Sequence, residues 1–159
     1  MSGLQIGAPA PDFTLPTDGD SEITLSNLKG QKVVIYFYPK DDTPGCTKES
    51  CAFRDHKEDF NGLNAQIIGI SKDSVKKHDK FKEKYDLNFP LASDENGKVC
   101  ERYGVWKEKS MYGKKYMGIE RSTFLIDEQG NIAQIWRKVK ITGHVEAVKS
   151  TLEELAKAA

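Results

Sequence analysis

The chain has 159 residues, a length at which one domain can remove roughly 70% of its unfolded surface from water without disulfide or metal staples. Lys and Arg number 24, as do Asp and Glu, and a formal net charge of zero argues against a dedicated nucleic-acid or polybasic membrane surface. Hydrophobic residues make up 38% and recur throughout, which argues against disorder, while the longest apolar run, residues 33–38, is far short of the ~20 residues of a spanning helix.

The first eleven residues lack the charged and apolar regions of a signal peptide, so a cytoplasmic protein is expected. No repeat or linker divides the chain, and 1–159 reads as one domain. Residues 12–15 and 22–25 flank the turn-like Thr17-Asp-Gly-Asp20 and predict a hairpin. Residues 32–38 form a β-branched and aromatic strand suited to burial on both faces, ended by Pro39, which lacks the N–H a ladder needs. After the polar loop 40–45, residues 46–60 contain no Pro or Gly and place Phe53 and Phe60 seven apart, predicting one helix that ends near Gly62. Residues 65–71 predict a strand, and 74–85 a helix with Ser74 as its N-cap. A short strand at 90–92, a helical turn at 98–103 and a loop-like stretch at 104–119 follow. Residues 122–126 and 131–136 flank Asp127-Glu-Gln-Gly130 as a second hairpin. Val145, Val148, Leu152 and Leu155 stripe a final helix. This order implies a mixed sheet with helices on both faces, compatible with a thioredoxin-like fold.

Three cysteines in a reducing compartment do not form a disulfide framework; they are core residues, metal ligands or redox groups. Cys46 falls where a buried strand has ended and a helix begins, so its sulfur would face first-turn N–H groups that favour a thiolate. Pro44 and Gly45 let the backbone turn sharply, and the Thr43 hydroxyl can both donate and accept a hydrogen bond. Such a group suits attack on a peroxide O–O bond. Helix position alone leaves a buried, inert Cys46 equally open. Cys51 lies five residues further along the same predicted helix, which sets the two Cα atoms roughly 8–9 Å apart. A disulfide needs about 7 Å or less, so any reaction between them requires the first turns to unwind.

Residues 39–46 match the Pro-x-x-x-Thr-x-x-Cys pattern of peroxiredoxins. Tyr36-Phe-Tyr-Pro-Lys40, Cys51-Ala-Phe-Arg-Asp55 and Arg121-Ser-Thr-Phe-Leu-Ile-Asp127 resemble the bacterioferritin comigratory protein (Q-type) branch, and the resemblance runs from Gly7 to the final helix. It implies a thiol peroxidase acting on hydrogen peroxide and alkyl hydroperoxides with no metal, haem, flavin or other cofactor. Cys46 would be the peroxidatic cysteine, Thr43 a hydrogen-bond partner of the peroxide, and Pro39 a shield for the sulfur. Arg121 would place a guanidinium beside the sulfur, and Cys51 would resolve the sulfenic acid as an intramolecular disulfide, the atypical two-cysteine route. The resemblance also implies thioredoxin as reductant and allows a monomer.

The remaining candidates read as structural. Cys100, in a short predicted helix, reads as core. His56, His78 and His144 are scattered on helices; His78 sits among lysines and reads as solvated, and the Cys46, Cys51 and His56 spacing does not suit zinc. The Lys-rich stretches 76–80 and 107–115 read as solvated faces. Trp106, Met111, Tyr112, Tyr116 and Met117 read as loop packing, or as a wall of the substrate pocket or a reductant-docking surface. A general disulfide oxidoreductase is disfavoured by the lack of Cys-x-x-Cys. A non-catalytic thiol redox sensor is the alternative, and it would saturate after one equivalent of peroxide where an enzyme turns over.

Overall fold

The apolar run that follows Gln31 becomes the middle of the sheet. Strand β3 (Lys32–Phe37) is buried at every position. Its side chains alternate between two cores: Val33, Ile35 and Phe37 face one, and Val34 and Tyr36 the other. The computed structural model describes residues 4–158; Met1, Ser2, Gly3 and Ala159, parts of the stretch read as one domain and of the N-terminus read as leader-free, lie outside them.

In chain order the elements are β1 (Thr14–Thr17), β2 (Ser21–Thr24), β3, α1 (Pro44–Asp55), α2 (Lys57–Gly62), β4 (Ala65–Ser71), α3 (Val75–Tyr85), β5 (Leu91–Ser93), α4 (Lys98–Arg102), β6 (Trp106–Met111), β7 (Lys114–Ile119), β8 (Ser122–Ile126), β9 (Ile132–Trp136) and α5 (His144–Ala158). Seven strands form one sheet in the order β2-β1-β5-β4-β3-β8-β9. The pairs β3–β4 and β4–β5 are parallel, whereas β8 runs antiparallel to both β3 and β9. Parallel neighbours need crossover helices, and α1 to α3 supply them. Phe53, Phe60, Phe81 and the stripe Val145, Val148 and Leu152 bring α1, α2, α3 and α5 onto one face of the sheet. Val99 and Cys100 of α4 cover the other. The expected mixed sheet with helices on both faces is therefore present.

Three expectations change. The helix predicted over 46–60 starts earlier, with Pro44 in its first turn, and breaks at His56. His56 leaves the helical region (φ −101°, ψ 9°), and α2 then re-aims so that Phe60 meets Phe53 edge-to-face at 6.0 Å. The stretch 104–119 is a β-hairpin rather than a loop. Tyr112 and Gly113 both have positive φ (53° and 78°), as a two-residue type I′ connection requires. His78 is fully buried rather than solvated. It shares the inward face of α3 with Phe81, while the neighbouring lysines occupy the outer face.

Candidate active site

Pro39, half-buried, follows the end of β3 and heads a short loop into α1. Thr43 is the extended residue before the helix (φ −101°, ψ 154°), and Pro44 takes a first-turn position where a missing N–H costs nothing. The first backbone bond of the helix runs from Thr47 N–H to the Thr43 carbonyl at 2.8 Å. The N–H groups of Gly45 and Cys46 precede that ladder and belong to the unpaired donors of a helix head. The Thr43 hydroxyl does not cap them; it donates to the Lys40 carbonyl at 2.8 Å. With its proton so committed, its lone pairs remain for an incoming O–H donor.

Cys46 is 1% exposed. Arg121, just ahead of β8 and 75 positions away in sequence, reaches across to it: Nη2 donates to Cys46 Sγ at 3.3 Å. The other arm of the same guanidinium, Nη1, donates to Glu49 Oε1 at 2.6 Å. One planar fork thus bridges a sulfur and a carboxylate on successive turns of α1. Glu49 was not singled out from sequence. Its signal is the three-residue spacing from Cys46, which places both on one helix face. Its side chain is fully buried, and Oε2 has no partner among the described residues. Burial pushes the Glu49 carboxyl up to about 7, against the opposing pull of Arg121. Arg121 is held above its ordinary value because Glu49 and Cys46 outweigh its own desolvation.

Gly45 makes this approach possible. A Cβ there would lie 3.2 Å from both Arg121 Nη2 and Ile141 Cδ1, tighter than ordinary contact. Gly45→Ala should therefore displace the guanidinium and lower kcat/KM about tenfold with little change in thermal midpoint, since small misplacements of reacting groups are costly. Unchanged steady-state kinetics would show that Arg121 is not held by this contact. Lys109, half-buried on β6, brings a second cation to the neighbourhood; burial lowers it most, then Arg121, while Cys46 opposes.

Cys51 is half-buried on α1, and burial raises its thiol above the usual range. Both Cys46 and Cys51 are free thiols. Cys100 is fully buried on α4 and pushed far above the ordinary thiol range by burial and by Asp94, whose carboxylate accepts from the Cys100 N–H at 2.8 Å. No group of three or more metal-ligating side chains occurs among the described residues. Trp106 is half-buried under Lys72 Nζ, 4.1 Å from the ring centre, whereas Met111, Tyr112, Tyr116 and Met117 lie exposed on the hairpin. A surface cleft of about 370 Å³ lies at the start of β3, lined by Leu25, Val33 and Ile126 and away from Cys46. A substrate as small as a peroxide does not need such a volume.

His144, buried at the head of α5, shares a 2.7 Å hydrogen bond with Thr123 Oγ1. Burial, then Arg121, lowers it to about 4. A His lowered in the fold contributes stability above its unfolded value near 6.5 that is lost as pH falls towards 4. A Glu raised in the fold does the reverse: its contribution is full below about 4.5 and is lost as pH rises through about 7. Each full shift corresponds to roughly 3 kcal/mol, about 2–3 kcal/mol of it between pH 4.5 and 6.5, and over that shared window they oppose. Urea unfolding of the parent should therefore vary little from pH 4.5 to 6.5. Glu49→Gln should gain about 2–3 kcal/mol over the same interval. A variant curve as level as the parent's would refute this assignment.

A family model described as the AhpC/TSA family matches residues 6–135. A putative peroxiredoxin bcp of Coxiella burnetii is 56% identical over 149 residues, covering 94% of this chain and 99% of the relative. Peroxiredoxin Bcp of Bacillus subtilis is 52% identical over 153 residues, covering 96% and 98%. Among solved structures, a cysteine-to-serine mutant of Xylella fastidiosa PrxQ superposes with a TM-score of 0.93 at 41% identity, covering 98% of this chain and 99% of that one. Xanthomonas campestris bacterioferritin comigratory protein, solved for insight into its alkyl peroxide reduction activity, gives 0.89 at 45% identity, covering 98% and 99%. With a thioredoxin-like fold and matches along nearly its whole length, the chain belongs to the AhpC/TSA family, on its peroxiredoxin Bcp branch, and is a thiol peroxidase.

Proposed function

We propose that Cys46 is the peroxidatic nucleophile, acting on hydrogen peroxide and alkyl hydroperoxides, and that Cys51 resolves it within the same chain. The observation that carries this reading is the Arg121 fork, one arm on Cys46 Sγ and the other on Glu49, at a helix head with free N–H donors. In the first step the Cys46 sulfur attacks one peroxide oxygen. The S–O bond forms, the O–O bond breaks, and the leaving oxygen departs as water or alcohol after taking a proton. Arg121 and the Gly45 and Cys46 N–H groups stabilise the charge that develops on the oxygens. Thr43 accepts from the peroxide O–H and so sets which oxygen faces the sulfur. Pro39 walls the loop from water.

Cys51 then attacks the sulfenic sulfur; the S–S bond forms, the S–O bond breaks and water leaves. On an intact α1 the two residues are too far apart, so the head of the helix unwinds first. The raised Cys51 thiol fits this order, because it stays unreactive until unwinding exposes it. Thioredoxin, a dithiol, returns the enzyme to its starting state by thiol–disulfide exchange. No second subunit is needed, so the protein works as a monomer of one domain, in the cytoplasm.

Peptide mapping of peroxide-treated protein without reductant should find Cys46 linked to Cys51 within one chain and Cys100 free. A link through Cys100, or between two chains, would overturn the resolving role of Cys51.

A further inference from the structure

The loop entering α1 is held from the side by α3, through groups the chemistry above does not use. Asp41 is buried and its carboxylate is bonded at both oxygens: Tyr38 Oη donates to Oδ1 at 2.5 Å, and His78 Nδ1 lies 2.6 Å from Oδ2. The Asp41 N–H donates to Asp73 Oδ2 at 2.8 Å, an oxygen that also accepts from Ser71 Oγ at 2.7 Å. The far nitrogen of the His78 ring is 3.0 Å from the Ala92 carbonyl of β5. Asp42, in a left-handed conformation (φ 58°), accepts from Lys84 Nζ at 2.9 Å and Tyr85 Oη at 2.7 Å. At the other end of α1, Arg54 Nη1 donates to the Tyr85 carbonyl at 2.7 Å. The ties to α3 therefore fall on either side of residues 43–53, the segment that carries Cys46 and Cys51.

A solvated loop has no need of such bonding. Burying a carboxylate is unfavourable unless its lone pairs are filled, and Tyr38 and His78 fill those of Asp41. Polar loops are ordinarily among the first segments to open. Here the same loop carries Thr43 and sets the direction of the helix head, where an error of about 1 Å can cost about 10²-fold in rate.

We propose that His78, through its bond to Asp41, is a positioning residue for the peroxide step. It fixes residues 39–43 so that Thr43 and the α1 head meet the substrate in register, and the ties to α3 confine the unwinding before disulfide formation to residues 43–53. The proposal rests on the Cys46–Cys51 reading above.

Two substitutions separate the two bonds of the ring. His78→Asn keeps a donor where Nδ1 sits and loses reach to Ala92; His78→Gln keeps one near Nε2 and loses Asp41. Rapid-mixing tryptophan fluorescence separates sulfenic acid formation, whose rate scales with peroxide, from disulfide formation, whose rate does not. His78→Gln should slow the first phase about tenfold and leave the second equal or faster, while His78→Asn stays within about threefold of the parent. Hydrogen exchange on the reduced proteins, without peroxide, should show residues 40–46 losing protection only in His78→Gln. Exchange decides the clamp independently of catalysis: a parent with no peroxide-dependent phase would remove the Cys46 reading instead. In the oxidised parent, lost protection should be confined to residues 43–53, and its spread into α3 would refute the boundary. A His78→Gln protein with the parent's first phase and exchange pattern overturns the proposal, and so does equal slowing in both variants, the mark of a general packing role. Should either variant fail to fold, Tyr38→Phe removes one bond from Asp41 with the ring in place; a slower first phase supports the clamp and an unchanged one overturns it.

Discussion

The Cys46→Ser protein should consume peroxide no faster than the uncatalysed background in a thiol-coupled assay, a loss of about 10⁴-fold or more. A serine hydroxyl is a far weaker nucleophile than a thiolate, and the groups around Cys46 do not replace that loss: the Arg121 guanidinium only donates, and the Glu49 carboxylate is itself engaged by that guanidinium. The fold should survive the change, because one buried small side chain replaces another of similar shape. Neither remaining cysteine can substitute. Cys100 is fully buried on the other face of the sheet, and Cys51 sits mid-helix with its thiol raised by burial. Measurable turnover in Cys46→Ser, with circular dichroism unchanged, would move the chemistry elsewhere in the molecule.

Arg121→Met should lower kcat/KM by about 10²–10³, the effect of removing a donor aimed at developing charge in a water-poor site. The same change strips Glu49 of its partner. A buried carboxylate cannot stay charged alone, so Glu49 should hold its proton to higher pH and the variant should lose stability as the pH rises. Arg121→Lys should rescue little: an ammonium cannot reach two acceptors with a planar fork. Kinetics that separate the steps would place the loss in the peroxide-dependent phase. A loss confined to disulfide formation would contradict the role given to Arg121.

The elements legible in the sequence were those with strong burial contrast. Residues 32–38 and 65–71 read as strands because both faces are apolar, and Ser74 announces α3 by accepting from the Lys77 N–H at 3.2 Å. The β6–β7 hairpin was not legible: it is mostly exposed on both faces, so no alternation marks it. The break at His56 carries no Gly or Pro; tertiary packing of Phe53 against Phe60 sets it. His78 was misread because its lysine neighbours mask a His78–Phe81 inward face.

In the site, the reactivity proposed for Cys46 came only from the resemblance carried by residues 39–46, since local position left an inert thiol equally open, but its place at a helix head was readable from local position. Arg121 was not, since 75 residues separate it from the sulfur and only the fold brings them to 3.3 Å. Glu49 escaped notice because a charged helix residue is ordinarily solvated, and its burial follows from the reach of Arg121.

The central claim, that Cys46 is the nucleophile that takes an oxygen atom from the peroxide, is tested most directly by trapping the first intermediate. In Cys51→Ser protein, one equivalent of peroxide followed by a sulfenic-acid-selective carbon nucleophile should give a single adduct, mapped by peptide mass spectrometry to Cys46. An adduct on Cys100 instead, or none anywhere while peroxide is consumed, would contradict the account.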